Sequence, residues 1–403
     1  MVANAKAQVL VLGAPKTTDY PIAAALLAVL ILPFRFPEFT RAKRAVPSTS
    51  FAYAMAQAPE RTPLPSLRFA WVGDFSEALA AVEIGGKYGY LDSSGEMRIA
   101  PSFQGAAGFS GGLAPVLIDG RWGYVDVTGG IAIAPAFAWA GGFHEGRAAV
   151  SGDSGYYFID SAGVPIGRSH FSDIRDFSGG LAAVRFGTGE DYAWGFIDRK
   201  GSLAIPPLFT EAPSGFSEGL ARVQMETERP WRAGFIDSTG GYAIDTLYDA
   251  AADFHEGLAA VGRGEWRGTR FTGSYGYVDR GGRPVIAPGF TAAGPFRDGR
   301  ALVRLAQGGS ALIDRTGRVV RAFPADVEVA AGQDGSIVTY RLRGGGGLID
   351  LETGAITEAT FTEAGPLRQG WARVRFRGAE PEAWAFIGGD GAYMGGGMHV
   401  ASH

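Results

Sequence analysis

From Phe69 onward, short apolar and polar runs return at a nearly fixed interval. Each opens on Phe, passes a polar or Gly pair, and continues with a Leu-Ala-x-Val type run. The copies are Phe75 (FSEALAAV), Phe109 (FSGGLAPV), Phe143 (FHEGRAAV), Phe177 (FSGGLAAV), Phe216 (FSEGLARV), Phe254 (FHEGLAAV) and Phe296 (FRDGRALV). Successive Phe residues lie 34, 34, 34, 39, 38 and 42 positions apart, with a degenerate copy near Gln333 and a last one at Leu367. Runs this short, bounded by turn residues, predict strands, and nothing here has helical period.

A second run follows in each unit, aromatic-Gly-aromatic-aliphatic-Asp: Tyr88 to Asp92, Trp122 to Asp126, Trp194 to Asp198 and Tyr275 to Asp279. Weaker copies end in Asp160, Asp237, Asp314 and Asp350. Asp92 with Gly95, Asp126 with Gly129, Asp160 with Gly163, Asp198 with Gly201, Asp237 with Gly240, Asp279 with Gly282 and Asp314 with Gly317 place Asp at i and Gly at i+3. That is a type I turn closing a hairpin, with Asp capping it and Gly in the left-handed region. A third strand is expected to end at Pro, as in IAPSF (99–103) and IAPAF (133–137), because Pro cannot donate to a ladder. One three-stranded meander cannot bury its own apolar face, so the units must stack. The expectation is an all-β tandem array of about nine three-stranded antiparallel meanders forming a curved solenoid or superhelix, with a propeller-like ring as the alternative.

Composition agrees. Gly is 62 of 403 residues, about twice the usual share, which suits turns better than helices. The absence of Cys removes disulfides, thiolate metal sites and a Cys nucleophile. A net charge of −4 gives no electrostatic reason to expect nucleic acid.

The chain before the array reads differently. Residues 1–34 form a tail whose Ile22–Leu32 run is 11 apolar residues, short for a membrane span but right for a signal-like segment. Residues 35–68 are a Pro-rich linker, 69–394 the array and 395–403 a C-terminal tail. The expected location is the periplasm or cell exterior, the alternative a cytoplasmic or membrane-associated protein held through residues 22–34.

The Trp-Gly-Tyr-Val-Asp and Phe-x-Glu-Gly-Leu-Ala-x-Val patterns resemble the bacterial WG-containing repeat. The resemblance implies binding or scaffolding rather than catalysis. Tyr stands for Trp at 88, 156 and 275, and the motif is eroded at Ser310 and Gly346.

No Gly-x-Ser-x-Gly elbow, Walker loop or His-Glu-x-x-His is present, and neither a metal nor a cofactor is expected. His144 and His255 share a unit position three units apart, and His170, His399 and His403 have no ligand spacing. The informative signal is irregular length. Between the Val of the first run and the aromatic position of the second, units one to three have five residues. Residues 185–193, 224–232 and 262–274 lengthen that loop in three successive units. These loops carry Tyr192, Arg229, Trp231, Arg232, Trp266, Arg267 and Arg270, residue types enriched at interface hot spots. The function expected is a non-catalytic scaffold that binds a protein or envelope partner there. The alternative is a carbohydrate-binding module using aromatic platforms. A glycosidase using Glu190, Asp191, Glu226 and Glu228 ranks last.

Overall fold

The structure is a computed structural model, and it describes residues 69–188, 191–225, 232–268, 270–323, 327–329, 337–342, 345–351, 361–376, 383–389 and 393–394. The chain divides into residues 1–59 and 60–403, and every described residue belongs to the second part. The tail, the linker and residues 395–403 lie outside the described residues.

Among the described residues there is no helix; every element is a strand or turn. The first unit is an antiparallel meander of Trp71–Val72, Leu79–Ile84, Lys87–Asp92 and Met97–Phe103, in spatial order. The next three units are four-stranded as well. The fifth unit is three-stranded as expected, whereas each of the first four carries one more, inner strand. That strand has only two residues in units one, two and four, too few for alternation to show. Later units fuse: Pro284–Arg297 runs from the outer strand of one unit into the inner strand of the next, giving a seven-stranded sheet.

The Phe-led motif is a turn before it is a strand. Ser76 and Leu79 exchange both backbone bonds around Glu77 (φ 50°) and Ala78 (φ 66°). Positive φ at both central residues defines a type I′ hairpin, whose twist matches the flanking strands. Gly fills the second position in most units.

The Asp turns close the other hairpin. Asp126 Oδ1 accepts from Thr128 N at 2.8 Å, Thr128 Oγ1 at 2.6 Å and Gly130 N at 3.0 Å. Gly95, Gly129, Gly163, Gly201, Gly240, Gly282 and Gly317 all take φ between 75° and 86°. Each donates its N–H to the carbonyl of its own Asp at 2.9 to 3.0 Å. Left-handed φ is not the whole cause of these glycines, because most also lie against the preceding unit. A Cβ on Gly163 would meet the Ile133 side chain at 2.9 Å, and one on Gly240 would meet Ile205 at 2.8 Å. Gly282 and Gly317 approach Ile244 and Ile286 in the same way, while Gly201 lies on the Gly167 backbone at 3.0 Å. The turn assigned from local spacing is therefore also a joint between units.

The Gly after the tryptophan position has a separate cause. Tyr88 pairs with Phe103 and Tyr90 with Ile99, so one residue, Gly89, faces the bulged stretch 100–102. A Cβ on Gly89 would lie 2.5 Å from Ile99 O and 2.7 Å from Pro101 N. The same approach recurs at Gly123, Gly195, Gly234 and Gly276. Contrary to expectation, the third strand does not end at Pro but runs on through Pro101 to Phe103. Pro is accommodated because it lies in a bulge on the outermost strand, where its missing N–H breaks no ladder. In the third unit Tyr157 replaces this Gly. There the opposing bulge is longer, Gly167 takes φ 69°, and the His170 ring packs edge-on against Tyr157 at 5.2 Å.

Neighbouring units are joined by a repeated set of contacts. The second aromatic of each motif is buried and meets the Phe of the following unit edge to face: Tyr90–Phe109 at 4.8 Å, Tyr124–Phe143 at 5.1 Å, Phe196–Phe216 at 5.2 Å and Tyr277–Phe296 at 4.9 Å. Where that aromatic is Tyr, its hydroxyl donates to a carbonyl of the next unit, as Tyr90 does to Ala107 at 2.8 Å. Glu77 reaches across and accepts from Gly111 N and Gly112 N at 2.7 and 2.9 Å. Such ring pairs add roughly 0.5–1.5 kcal/mol each beyond buried area.

The first and last units are in contact. Phe69 and Trp384 exchange two backbone bonds of 2.9 Å, Phe75 packs on Phe386, and a buried cluster joins Phe69, Val72, Phe75, Ala80, Val82, Leu91, Phe386 and Met394.

Candidate functional site

In the fourth and sixth units the lengthened segments are extended hairpins. In units one and two the strands flanking this hairpin have six residues each. In the fourth unit the ladder runs on to the pair Thr188–Asp191, and in the sixth to Arg267–Arg270, with ten residues per strand. Residues 226–231 of the fifth unit lie outside the described residues, and with them Arg229 and Trp231. In all three units the strands flanking these segments end opposite the Asp turns, and in the fifth unit they keep six residues each.

Tyr192 is half-buried opposite Gly187, and the Arg185 guanidinium lies over its ring at 5.0 Å. Trp194, next along the same strand, has Arg175 over it at 4.9 Å. In the sixth unit Trp266, Phe271 and Tyr275 form a continuous aromatic row, with centroids 5.3 and 5.0 Å apart. Glycine makes room for this row: a Cβ on Gly262 or Gly273 would meet the Phe271 ring at 3.0 or 2.8 Å. Trp266 is still 47% exposed.

Arg232 and Trp266 are brought together by Asp249, a residue that sequence reasoning missed. Asp249 is only 6% exposed. Its carboxylate accepts from Arg232 at 2.8 Å and from Gly264 N at 2.9 Å, and its carbonyl accepts from the Trp266 indole N–H at 2.6 Å. A buried charge is tolerable only when paired in this way. The effect is to tie the fifth unit's strand to the sixth unit's hairpin. A signal was present: the corresponding corner residue is Gln104, Ala138, Ser172, Thr210 or Thr291 elsewhere, never an acid. Gln104 plays a milder version of the part, accepting from Gly120 N at 2.9 Å.

Arg267 and Arg270 stand side by side at the hairpin end and are exposed. Arg267 has Glu265 at 3.7 Å, both side chains 77% exposed, a pair of the kind that contributes little. Of the four acids weighed for hydrolysis, Asp191 is exposed and Glu190, Glu226 and Glu228 lie outside the described residues. His144 pairs with Asp176 of the next unit at 3.3 Å. Among the described residues no cluster of three His, Asp or Glu side chains is placed to hold a metal ion.

A repeat-family model for the WG containing repeat matches residues 66–88, 88–122, 122–156, 194–226, 234–264 and 275–307. The chain belongs to the WG-containing repeat family. Its WG motifs are the strands whose glycine faces the outer bulge. No curated protein sequence matches the chain. Solved structures match at the level of fold. A crystal structure titled as the eukaryotic initiation factor shares 12% identity at a TM-score of 0.55, over 80% of this chain and 95% of that one. BamB from Moraxella catarrhalis shares 10% identity at a TM-score of 0.42, over 81% and 99%.

Proposed function

We propose that this WG-repeat array is a closed, nine-unit, non-catalytic binding platform that docks a protein partner on the edge carrying the hairpins at 185–193, 224–232 and 262–274. The observation that carries the docking reading is the lengthening of this hairpin in the fourth and sixth units, with exposed Trp266, Arg267 and Arg270 on the sixth. Elaborated loops on one edge of a repeat array, rich in Trp, Tyr and Arg, have the make-up of an interface.

Closure is the ring alternative to the open superhelix. It is supported by the join between first and last units, which repeats the edge-to-face ring pair and one turn contact of the internal joins. The glycan-platform alternative has less behind it, because the recurrent rings are packed between units. Export is proposed from the apolar run at 22–32, and N-terminal sequencing of the mature protein tests it.

The docking reading is tested by affinity capture from the native host with the wild-type chain and with Trp266→Ala/Arg267→Ala. Loss of the captured partner, with the melting temperature unchanged, is expected. An identical set of captured proteins overturns it.

A further inference from the structure

The sixth-unit hairpin is two-faced. Residues directly opposite on an antiparallel ladder share a face, and alternate residues change face. The pairs Gly262–Tyr275, Gly264–Gly273 and Trp266–Phe271 therefore make one side, aromatic over glycine. The pairs Arg263–Ser274, Glu265–Thr272 and Arg267–Arg270 make the other, polar and with three arginines against one acid. The terminal pair sets two like charges directly across from each other, an arrangement that costs stability in a ladder. Among the described residues Arg270 has no ion-pair partner, and Arg267 has only the exposed Glu265. Asp249, the nearest buried acid, does not offset them, because its carboxylate is already engaged by Arg232 and Gly264 N.

Resting on the docking reading, we infer that Arg267 and Arg270 receive carboxylates of an acidic protein segment, with Trp266 as the neighbouring apolar contact. Two adjacent guanidinium groups present forked donors that match carboxylate geometry, and an anion between them relieves their repulsion. The extent of the patch selects the partner. The chain as a whole carries −4, so a long polyanion or an anionic membrane would be repelled by the body around the hairpin, whereas a short acidic segment meets only the arginine face.

The test uses the full chain and a fluorescein-labelled peptide of alternating Glu and Gly, followed by fluorescence anisotropy at low and physiological salt. The Gln/Gly peptide, a single-stranded oligonucleotide and anionic vesicles are the comparison probes. Saturable binding of the Glu peptide is expected, weakened by salt and reduced about tenfold or more in Arg267→Glu/Arg270→Glu. Arg283→Glu/Arg318→Glu, at the Asp-turn end of the units, should leave it unchanged. Equal binding of the Gln peptide, tighter binding of oligonucleotide or vesicles, no binding up to about 1 mM, or indifference to the double reversal overturns the proposal. Failure here is separable from failure of the docking reading. If the peptide does not bind but Trp266→Ala/Arg267→Ala still loses the host partner, the edge docks a partner that is not acidic. If the peptide binds through the arginines while host capture ignores Trp266, the charge assignment stands without that docking edge.

Discussion

Phe386, in the last unit, and Phe75, in the first, lie 4.9 Å apart with their rings at 60°. The geometry matches that of Tyr90 and Phe109, at 4.8 Å and 61°, which join two consecutive units. Other contacts at this join follow suit. Gln369 stands where Glu77 stands in the first unit, and its side-chain oxygen accepts from Ala78 N at 2.8 Å. Arg373 pairs with Asp74 at 3.1 Å, and Phe69 takes the place on Trp384 that Phe103 takes on Tyr88. The last unit is thus completed by a residue from the beginning of the array.

A chain without Cys allows a direct test of that join. Phe69 and Trp384 exchange both backbone bonds, which places their Cα atoms about 5.5 Å apart, within disulfide range. Phe69→Cys/Trp384→Cys should oxidise intramolecularly and run faster than its reduced form on a denaturing gel. Two thiols that stay titratable in the folded monomer would exclude ring closure.

The WG glycine should resist the smallest enlargement. Gly123→Ala brings a Cβ to 2.7 Å from Ile133 O and 2.8 Å from Pro135 N, both backbone atoms that cannot step aside. The expected loss is about 1–3 kcal/mol in urea unfolding. Gly152→Ala meets only the Tyr157 ring at 3.6 Å and should stay within about 0.5 kcal/mol. Equal effects would mean that the bulge does not impose the glycine.

Acid should loosen the turns and the unit joins together. The Thr128 hydroxyl, then backbone N–H groups, hold Asp126 below the ordinary carboxylate range, and Ser94 acts first on Asp92 in the same way. For Glu145, partial burial pushes upward, but the Arg199 guanidinium and Gly180 N–H outweigh it and the net shift is downward. A carboxylate depressed in the folded state contributes stability above its unfolded pKa and loses it as pH falls through the folded value. Melting temperature should therefore be flat near neutrality and fall below about pH 4. Glu145→Gln should cost at most about 1 kcal/mol at neutral pH and flatten part of that acid slope. A slope unchanged by the substitution would remove Glu145 as a source of the acid sensitivity.

Asp249 should govern the order of the long hairpin without governing the fold. Asp249→Ala leaves Arg232 unpaired and Gly264 N without its acceptor. Limited trypsin digestion should then cut at Arg263, Arg267 or Arg270 several times faster, while the rest of the array resists. An unchanged cleavage rate would mean that the aromatic row alone holds the hairpin.

Much of this architecture was legible from residue order because its causes are local. The Asp-x-x-Gly turns, the strand runs and the repeat period each depend on φ preference and alternation within a few residues. Asp249 was harder to see: an acid at one corner becomes meaningful only when Arg232 and Gly264, from two different hairpins, converge on it. The same holds for Glu77, which reads as a polar turn residue until the next unit's Gly111 and Gly112 meet it. Gly240 shows both kinds of cause at once, since its turn is local but its contact with Ile205 is not.

The sequence by itself determined that the array is all-β, the spacing at which its motifs return, which glycines turn the chain and that the hairpins of the fourth and sixth units are long. Only the tertiary structure decided that a fourth, two-residue strand opens most early units, that the WG glycine answers to a bulge, and that Phe69 returns to Trp384. The physical reason is range. Turn and strand preferences are settled by neighbours along the chain, whereas the meeting of two distant ends is the sum of small rotations between units, and no single unit encodes that sum.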